Sequence, residues 1–541
     1  MRQSGNLEIP SPYGRSRMTH AQSHNQYQAT MTFMTGRAIS SSLLLLWTAS
    51  HLGGVGDAFQ PVCLSKEQVV SLAAAGGFGF GASTSSSSKR NNKKSKGGKN
   101  EPKEPPPTTS TTTTTTTTSA DIVAAYEATS RGRDLQSKGA LNEAIASFSE
   151  ALELHPTVDR QFQLALALEE NGEPQRAIEM FEQAQRNDAA DAILGHDVHL
   201  KLAHLWAHDL GDVQRGIGHV DQALAMEGYI HTSESDAVAW YQKAFFVADQ
   251  GRLAEAIALL DSAIEAMEQT SKDEGGGNDD SAKEEKKKDV AERLQMAKFY
   301  KSVARGLLEK DENAIEGFID QSMVDSWKYA ISHYPKAVLE EQPQGRIFSG
   351  TYTMLEEALQ MARPDGIVAE FGVFHGKSIR LISSMTKDAV DGFDTFEGIP
   401  EQWGDEPAGS YTANKEIPER VPDNVRFHVG LFSDTLPGYV ANLPPPEQLP
   451  VRVLNIDCDL YQGTVEILHY LSDRIGPGSV IIFDEYLMTP TWPEDEYKAF
   501  QEACDKFGWE YEYLGFSLFS KQVSVRITES RSFLRPKADG F

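Results

Sequence analysis

Ile367-Val368-Ala369-Glu370-Phe371-Gly372-Val373-Phe374-His375-Gly376-Lys377-Ser378 opens as an apolar run and closes on an acid, two glycines and a hydroxyl. Ile367–Val373 reads as a buried strand, and a helical pattern begins near Ser378. Outward from this stretch, strand-like runs recur at Val390–Phe393, Val425–Val429, Val451–Ile456 and Ser479–Phe483, with helical patterns in most of the gaps. Strands alternating with helices predict an α/β fold over residues 325–530: a parallel, Rossmann-like sheet with helices on both faces. Such sheets bind ligands at the carboxyl ends of their strands, where the strand order switches. The residues that follow each strand are therefore the candidates for function.

After the first strand, Glu370 supplies an acid and the two glycines permit close backbone approach. The turn is not G-x-G-x-x-G, and no acid stands at the spacing a dinucleotide needs, so a dehydrogenase is disfavoured. After the second comes Asp394, in Gly392-Phe393-Asp394-Thr395-Phe396-Glu397-Gly398. A carboxylate there can accept both hydroxyls of a ribose. The long stretch Glu401–Asn424, with Trp403 and Tyr411, has a functional length. After the fourth strand comes Asp457-Cys458-Asp459-Leu460-Tyr461, and after the fifth Asp484-Glu485-Tyr486. Asp457 and Asp459 are two apart and share a face. If strands four and five are neighbours, four carboxylates meet at one rim and raise one another's pKa. A bound divalent cation removes that penalty, and oxygen-only ligands suit Mg²⁺ or Mn²⁺ better than zinc.

The preceding region, 120–320, repeats. Gly139…Ala144-Ile145…Phe148…Ala151 recurs as Gly172…Ala177-Ile178…Phe181…Ala184, as Gly211…Gly216-Ile217…Val220…Ala223, and as Gly251…Ala256-Ile257…Leu260…Ala263, with a degenerate fifth copy at Ala314-Ile315…Phe318. Each copy predicts two amphipathic helices with a turn at the glycine. The pattern resembles tetratricopeptide repeats (TPR), whose helix pairs stack into an α-helical solenoid. Such an arm is expected to contact a protein partner or to self-associate, and to be separable from the domain after it. Residues 271–288, with three glycines and mixed charge, read as a mobile insertion.

The chain has 541 residues and three cysteines, Cys63, Cys458 and Cys504, too few and too scattered for a disulfide scaffold or zinc site. Residues 1–119 carry 12 Lys+Arg and 5 Asp+Glu, whereas the remaining 422 carry 39 and 73. An acidic body argues against nucleic-acid binding. The basic head holds a signal-like segment, 37–61, whose apolar run Ile39–Ala49 is too short for a stable transmembrane span. Ala58-Phe59-Gln60-Pro61 resembles the cleavage signature of plastid-targeting leaders, so secretory or plastid entry and a cytoplasmic site stand as alternatives. The Ser/Lys/Thr-rich linker that follows, up to residue 119, is expected to be disordered. Residues 531–541 read as a tail.

Taken together, Glu370-Phe371-Gly372-Val373-Phe374 with Gly376 and Ser378, Gly392–Glu401, Asp434–Pro437, Asp457–Tyr461 and Phe483–Tyr486 resemble the macrocin O-methyltransferase family. The resemblance runs from about Arg346 to Phe519. It implies a class I, S-adenosylmethionine-dependent O-methyltransferase acting with Mg²⁺ or Mn²⁺ on a small molecule or sugar. It implies that Glu370, Gly372, Phe374, Gly376, Ser378, Asp394 and Phe396 line the cofactor pocket. It implies that Asp457, Asp484 and Glu485 ligate the metal and leaves Asp459 as the candidate general base. His375 and His428 are alternative bases. Glu485 replaces the family's usual second Asp, and Gln462-Gly463 replaces Glu-Ser, so substrate identity does not transfer. The competing expectation is a TPR scaffold whose methyltransferase-like domain binds the cofactor without turnover.

Overall fold

A computed structural model describes residues 118–187, 192–273, 280–309, 311, 321–333, 351–404, 406–487, 489, 491–517 and 521–535. The leader, the fifth repeat copy and most of the tail lie outside the described residues.

The repeats form helix pairs: α1 (Ser119–Ser137) with α2 (Leu141–Leu154), α3 (Val158–Glu170) with α4 (Pro174–Asn187), α5 (Ala192–His204) with α6 (Val213–Leu224), and α7 (Ser233–Asp249) with α8 (Leu253–Asp273). The turns fall where the glycines predict, and Gly139, Gly172, Gly211 and Gly251 all have positive φ. Thr118, Thr157, Asp212 and Thr232 cap the helices that follow them by accepting backbone N–H bonds. Ala144, Phe148, Ala151, Ala177, Phe181 and Ala184 are fully buried in the seams. Two helices follow, α9 (Asp280–Glu309) and α10 (Gln321–Ser332). Because α8 runs to Asp273 and α9 starts at Asp280, most of the expected insertion over 271–288 is helix, and only 274–279 lie outside the described residues.

The α/β domain has α11 (Thr351–Met361), β1 (Ile367–Phe371), α12 (Lys377–Met385), β2 (Val390–Asp394), β3 (Val425–Val429), α13 (Phe432–Asn442), β4 (Val451–Ile456), α14 (Tyr461–Tyr470), β5 (Val480–Phe483), α15 (Glu496–Phe507), β6 (Trp509–Phe516) and β7 (Val523–Ser530). The sheet order is β3-β2-β1-β4-β5-β7-β6, in which β1 to β5 pair in parallel and β7 pairs antiparallel to β5 and β6. The order reverses between β1 and β4, so the ligand crevice lies at their carboxyl ends. All five expected strands form. The β6–β7 hairpin was not anticipated, although Trp509-Glu510-Tyr511-Glu512-Tyr513 carries the two-residue alternation of a half-buried strand.

The repeat segment is not a free arm. Its turns lie on the α/β domain. Arg380 donates to the Asn171 carbonyl (2.9 Å), Asn414 donates to the Lys138 carbonyl (2.8 Å), Thr353 donates to Asp249 (3.1 Å), and Lys377 pairs with Asp209 (2.6 Å). A Cβ on Gly172 would stand 2.8 Å from Cα and Cβ of Lys377, so the turn glycine also serves this close approach. One apolar cluster runs without a break from Ala203, Phe245 and Leu260 through Phe299 and Trp327 to Phe371, Phe483 and Ile527. The expectation that the repeats are separable from the domain after them is at odds with this shared core. A chain beginning at residue 321 would leave Trp327 without Phe299, whose ring centroid is 6.1 Å away. We expect that truncation to aggregate or to melt below the full chain. A soluble fragment with an unchanged melting transition contradicts the expectation.

Candidate functional site

The crevice is built on backbone that only particular residues tolerate. Gly372 has φ +88°, and a Cβ there would lie 1.6 Å from the carbonyl oxygen of Asp457. The loop after β1 is thereby pressed on the end of β4. The Asp457 amide donates to the Phe371 carbonyl (2.8 Å), which extends the pairing. Gly376, at φ +80°, caps α12, and a Cβ there would meet Pro418 at 2.7 Å. Phe374 (φ 52°) is 38% exposed, and Asp459 (φ 61°) is a non-glycine residue in the left-handed region. Backbone strain of this kind concentrates at functional sites.

Asp394 holds this loop. Its Oδ2 accepts the amides of Val373 (2.7 Å) and Phe374 (2.8 Å), and its Oδ1 accepts that of Phe396 (2.7 Å). Glu370 is fully buried, and its Oε1 accepts from Asn455 Nδ2 at 2.9 Å. Burial raises Glu370 to about 8, against hydrogen bonds from Ser378 and Asn455. Ser378 thus lies in the first turn of α12, in contact with Glu370. Phe396 differs from the expectation of a pocket wall. Its ring is 1% exposed and sits in the apolar core, edge-on to Phe427, because its left-handed backbone turns it inward.

The four acids lie at the ends of β4 and β5, but they do not form one ligand set. Asp457 and Asp484 are in side-chain contact, and burial raises both, Asp484 to about 6. Burial and then Asp484 raise Asp459 to about 7. Glu485 is 1% exposed and faces Lys521, whose Nζ lies 2.9 Å from Oε2. The Asp457, Asp484, Glu485 triad is therefore not assembled. Among the described residues, the one group of three with ligand atoms mutually within 4.8 Å is elsewhere. The cause is β7, which runs antiparallel beside β5 and brings Lys521 and Gln522 to the acids. Gln522 Nε2 donates to Asp484 at 2.5 Å. A further buried acid, Glu496, accepts the Glu485 amide at 2.9 Å, and burial raises it well above the usual range. Asn455, Glu496, Lys521 and Gln522 were missed as site residues. Asn455 alone carried a signal, as an amide inside an apolar strand two residues before Asp457.

His375 is pushed down to about 4 by burial and Arg380 and is a poor base. His428 Nε2 is 2.9 Å from Asp391, in a structural group with Arg426 and Tyr439. Beyond Asp459 opens a cleft of about 420 Å³ lined by Glu401, Trp403, Leu460, Tyr461, Gln462 and Asp495, among others.

Raised acids give a linkage of definite sign. Between its ordinary 4.5 and about 8, folded Glu370 keeps a proton that the unfolded chain has released. Its contribution to stability is full at the acid end and is lost as pH rises through that window. We expect the melting temperature in EDTA to fall from about pH 7 to 8, where the buried histidines are neutral in both the folded and the unfolded chain, and Glu370→Gln to flatten part of that slope. A melting temperature that rises over this range contradicts the assignment.

Comparison with known proteins agrees with this architecture. Residues 369–486 match the family model of a methyltransferase domain, and residues 129–192 and 207–272 match tetratricopeptide repeats. The chain is 30% identical over 159 residues to the 8-demethyl-8-(2,3-dimethoxy-alpha-L-rhamnosyl)-tetracenomycin-C 4'-O-methyltransferase of Streptomyces olivaceus, covering 24% of this chain and 58% of that one. It is 30% identical over 167 residues to the demethyldecarbamoylnovobiocin O-methyltransferase of Streptomyces niveus, covering 26% and 61%. The chain thus spans about three fifths of the length of these curated relatives. Among solved structures, the O-methyltransferase NovP aligns at 23% identity with a TM-score of 0.25, covering 33% of this chain and 79% of that one. The matched segments, with the sheet order and the turn glycines, identify a chain that joins tetratricopeptide repeats to a methyltransferase domain.

Proposed function

We propose that the α/β domain is an S-adenosylmethionine-dependent O-methyltransferase acting, with a divalent cation, on a small molecule or sugar bearing vicinal hydroxyls. The observation that carries the reading is the side-chain contact between Asp457 and the buried Asp484, with Asp459 directly before Leu460 and Tyr461, which line the cleft. Two adjacent carboxylates stay ionised at neutral pH only beside positive charge.

When bound, S-adenosylmethionine supplies a methyl group on a good leaving group, and a Mg²⁺ or Mn²⁺ ion supplies charge that lowers the pKa of an acceptor hydroxyl. The donor set fits such an ion through the oxygens of Asp457 and Asp484, whereas Glu485 stays with Lys521. Asp394 holds the Val373–Phe374 loop open to the donor by its backbone bonds, and Phe374 offers an exposed aromatic face there. Asp459 takes the acceptor's proton, and its value near 7 suits a base at neutral pH. Trp403 and Tyr461 wall the cleft with flat rings suited to a sugar face. The remaining work is proximity and orientation. The curated relatives are, by name, O-methyltransferases of a rhamnosyl-tetracenomycin C and of demethyldecarbamoylnovobiocin, and the proposed acceptor class follows them.

The test is methyl transfer from labelled S-adenosylmethionine to a panel of vicinal diols and rhamnosides, with Mg²⁺ or with EDTA. Turnover that EDTA removes supports the reading. Cofactor binding without turnover on any acceptor would instead favour the scaffold alternative. The repeats supply a surface for a protein partner or a second copy.

A further inference from the structure

Helix α5 ends in a π-helical turn, Leu205–Asp209, closed by the Leu210 amide on the Leu205 carbonyl (3.0 Å). Turns of this kind are rare and concentrate at functional sites. Here the turn gathers His204, His208 and Asp209, which are at most 3% exposed. One ligand atom of each lies within 4.8 Å of the others. The two imidazoles stack at 4.7 Å with a 21° interplanar angle. Neither ring nitrogen of His204 has a hydrogen-bond partner, although the residue is fully buried. A neutral imidazole carries one N–H donor and one lone pair, and burying both unused is costly.

We propose that His204, His208 and Asp209 form a binding site for a transition metal of the Zn²⁺ class in the seam between the repeats and the methyltransferase domain, with Lys377 as the metal's competitor for Asp209. Two imidazole nitrogens and one carboxylate are a donor set for zinc, cobalt or nickel and not for Mg²⁺. Burial keeps both histidines neutral; His204 has a free lone pair, His208 donates Nδ1–H to Asp209 Oδ1 (2.9 Å) and keeps the lone pair of Nε2, and against burial Lys377 and that bond hold Asp209 ionised. Tetrahedral zinc ligands stand about 3.4 Å apart, so the three groups close by small side-chain rotations once Asp209 turns from the ammonium. The site differs in donors and place from the oxygen-only pair Asp457 and Asp484. It also touches the cofactor loop. Lys377 is the first residue of α12, directly after Gly376, and its Nζ is 2.6 Å from Asp209. A metal on Asp209 frees that lysine, so occupancy of the seam bears on the loop that runs from Gly372 to Gly376.

The test is titration of the full chain with Co²⁺ in saturating Mg²⁺, followed by visible absorption and calorimetry. The expected result is one Co²⁺ per chain with the strong absorption of a four-coordinate site. Losing a ligand costs more than the 10–100-fold of an outer partner, so His204→Ala and His208→Gln should each weaken binding by more than about 100-fold. Lys377→Met removes the competing charge and should tighten binding at least about tenfold. Thermal melts show whether each variant is folded. Lys377→Met keeps the test decisive if a histidine variant fails to fold. Absence of Co²⁺ uptake, uptake unchanged in the folded histidine variants, or weaker uptake in folded Lys377→Met overturns the proposal.

Discussion

Asp457→Ala is expected to lower methyl transfer by about 10³-fold or more while S-adenosylmethionine affinity stays within about tenfold, or ~1.4 kcal/mol. The asymmetry follows from position. The Asp457 carboxyl touches Asp484 at the crevice mouth, whereas the cofactor loop is set by Gly372, Asp394 and Glu370. Removing one of the two adjacent acids removes the charge that draws a cation to the acceptor, and polarisation by a metal supplies several kcal/mol of transition-state stabilisation. The same change relieves a repulsion, so the variant should be more stable than the parent in EDTA at pH 8. Asp457→Asn, which keeps the volume and loses the charge, should behave alike. Full activity in either variant would remove the metal assignment, and a lower melting temperature in EDTA would remove the electrostatic one.

Gly372→Ala should be the more damaging change to the fold of the site. At φ +88° any side chain is strained, and the added Cβ would overlap the Asp457 carbonyl at 1.6 Å. Left-handed backbone costs about 1–3 kcal/mol and overpacking a similar amount, so the loss is roughly 2–5 kcal/mol. For a domain of this size that lowers the melting temperature by roughly 5–15 °C. Relief requires β1 and β4 to part where the cofactor is expected, so binding should be lost as well. Gly218→Ala is the control. It lies within α6, where a Cβ meets nothing within 4 Å. Alanine there should be neutral or stabilise by up to about 1 kcal/mol. Equal effects of the two substitutions would mean that the strand-end contact is not what makes Gly372 necessary.

The inner parallel strands β1, β4 and β5 were legible because burial on both faces forces near-continuous apolar runs, and each run ended within two residues of its strand. The four repeat turns were legible because a left-handed turn wants glycine. What escaped depends on distant pairing. Lys521 reads as an ordinary surface lysine until β7 lies beside β5, and only then does it neutralise Glu485. Glu496 reads as an ordinary helix acid until α15 packs and buries it. Phe396 is a pocket residue only by the family resemblance, whereas its positive φ turns it into the core. The joint between repeats and α/β domain was illegible for the same reason. Asp209, Asn171 and Lys138 meet Lys377, Arg380 and Asn414 across more than 160 residues of sequence.

The central claim is that the β1–β4 crevice takes S-adenosylmethionine next to a cation held by Asp457 and Asp484. Isothermal titration of the full chain with S-adenosylmethionine, with and without Mg²⁺, tests it most directly. Saturable one-to-one heat, with Mg²⁺ altering the apparent affinity in the parent but not in Asp457→Ala, is the predicted result. No saturable heat under either condition would contradict the account.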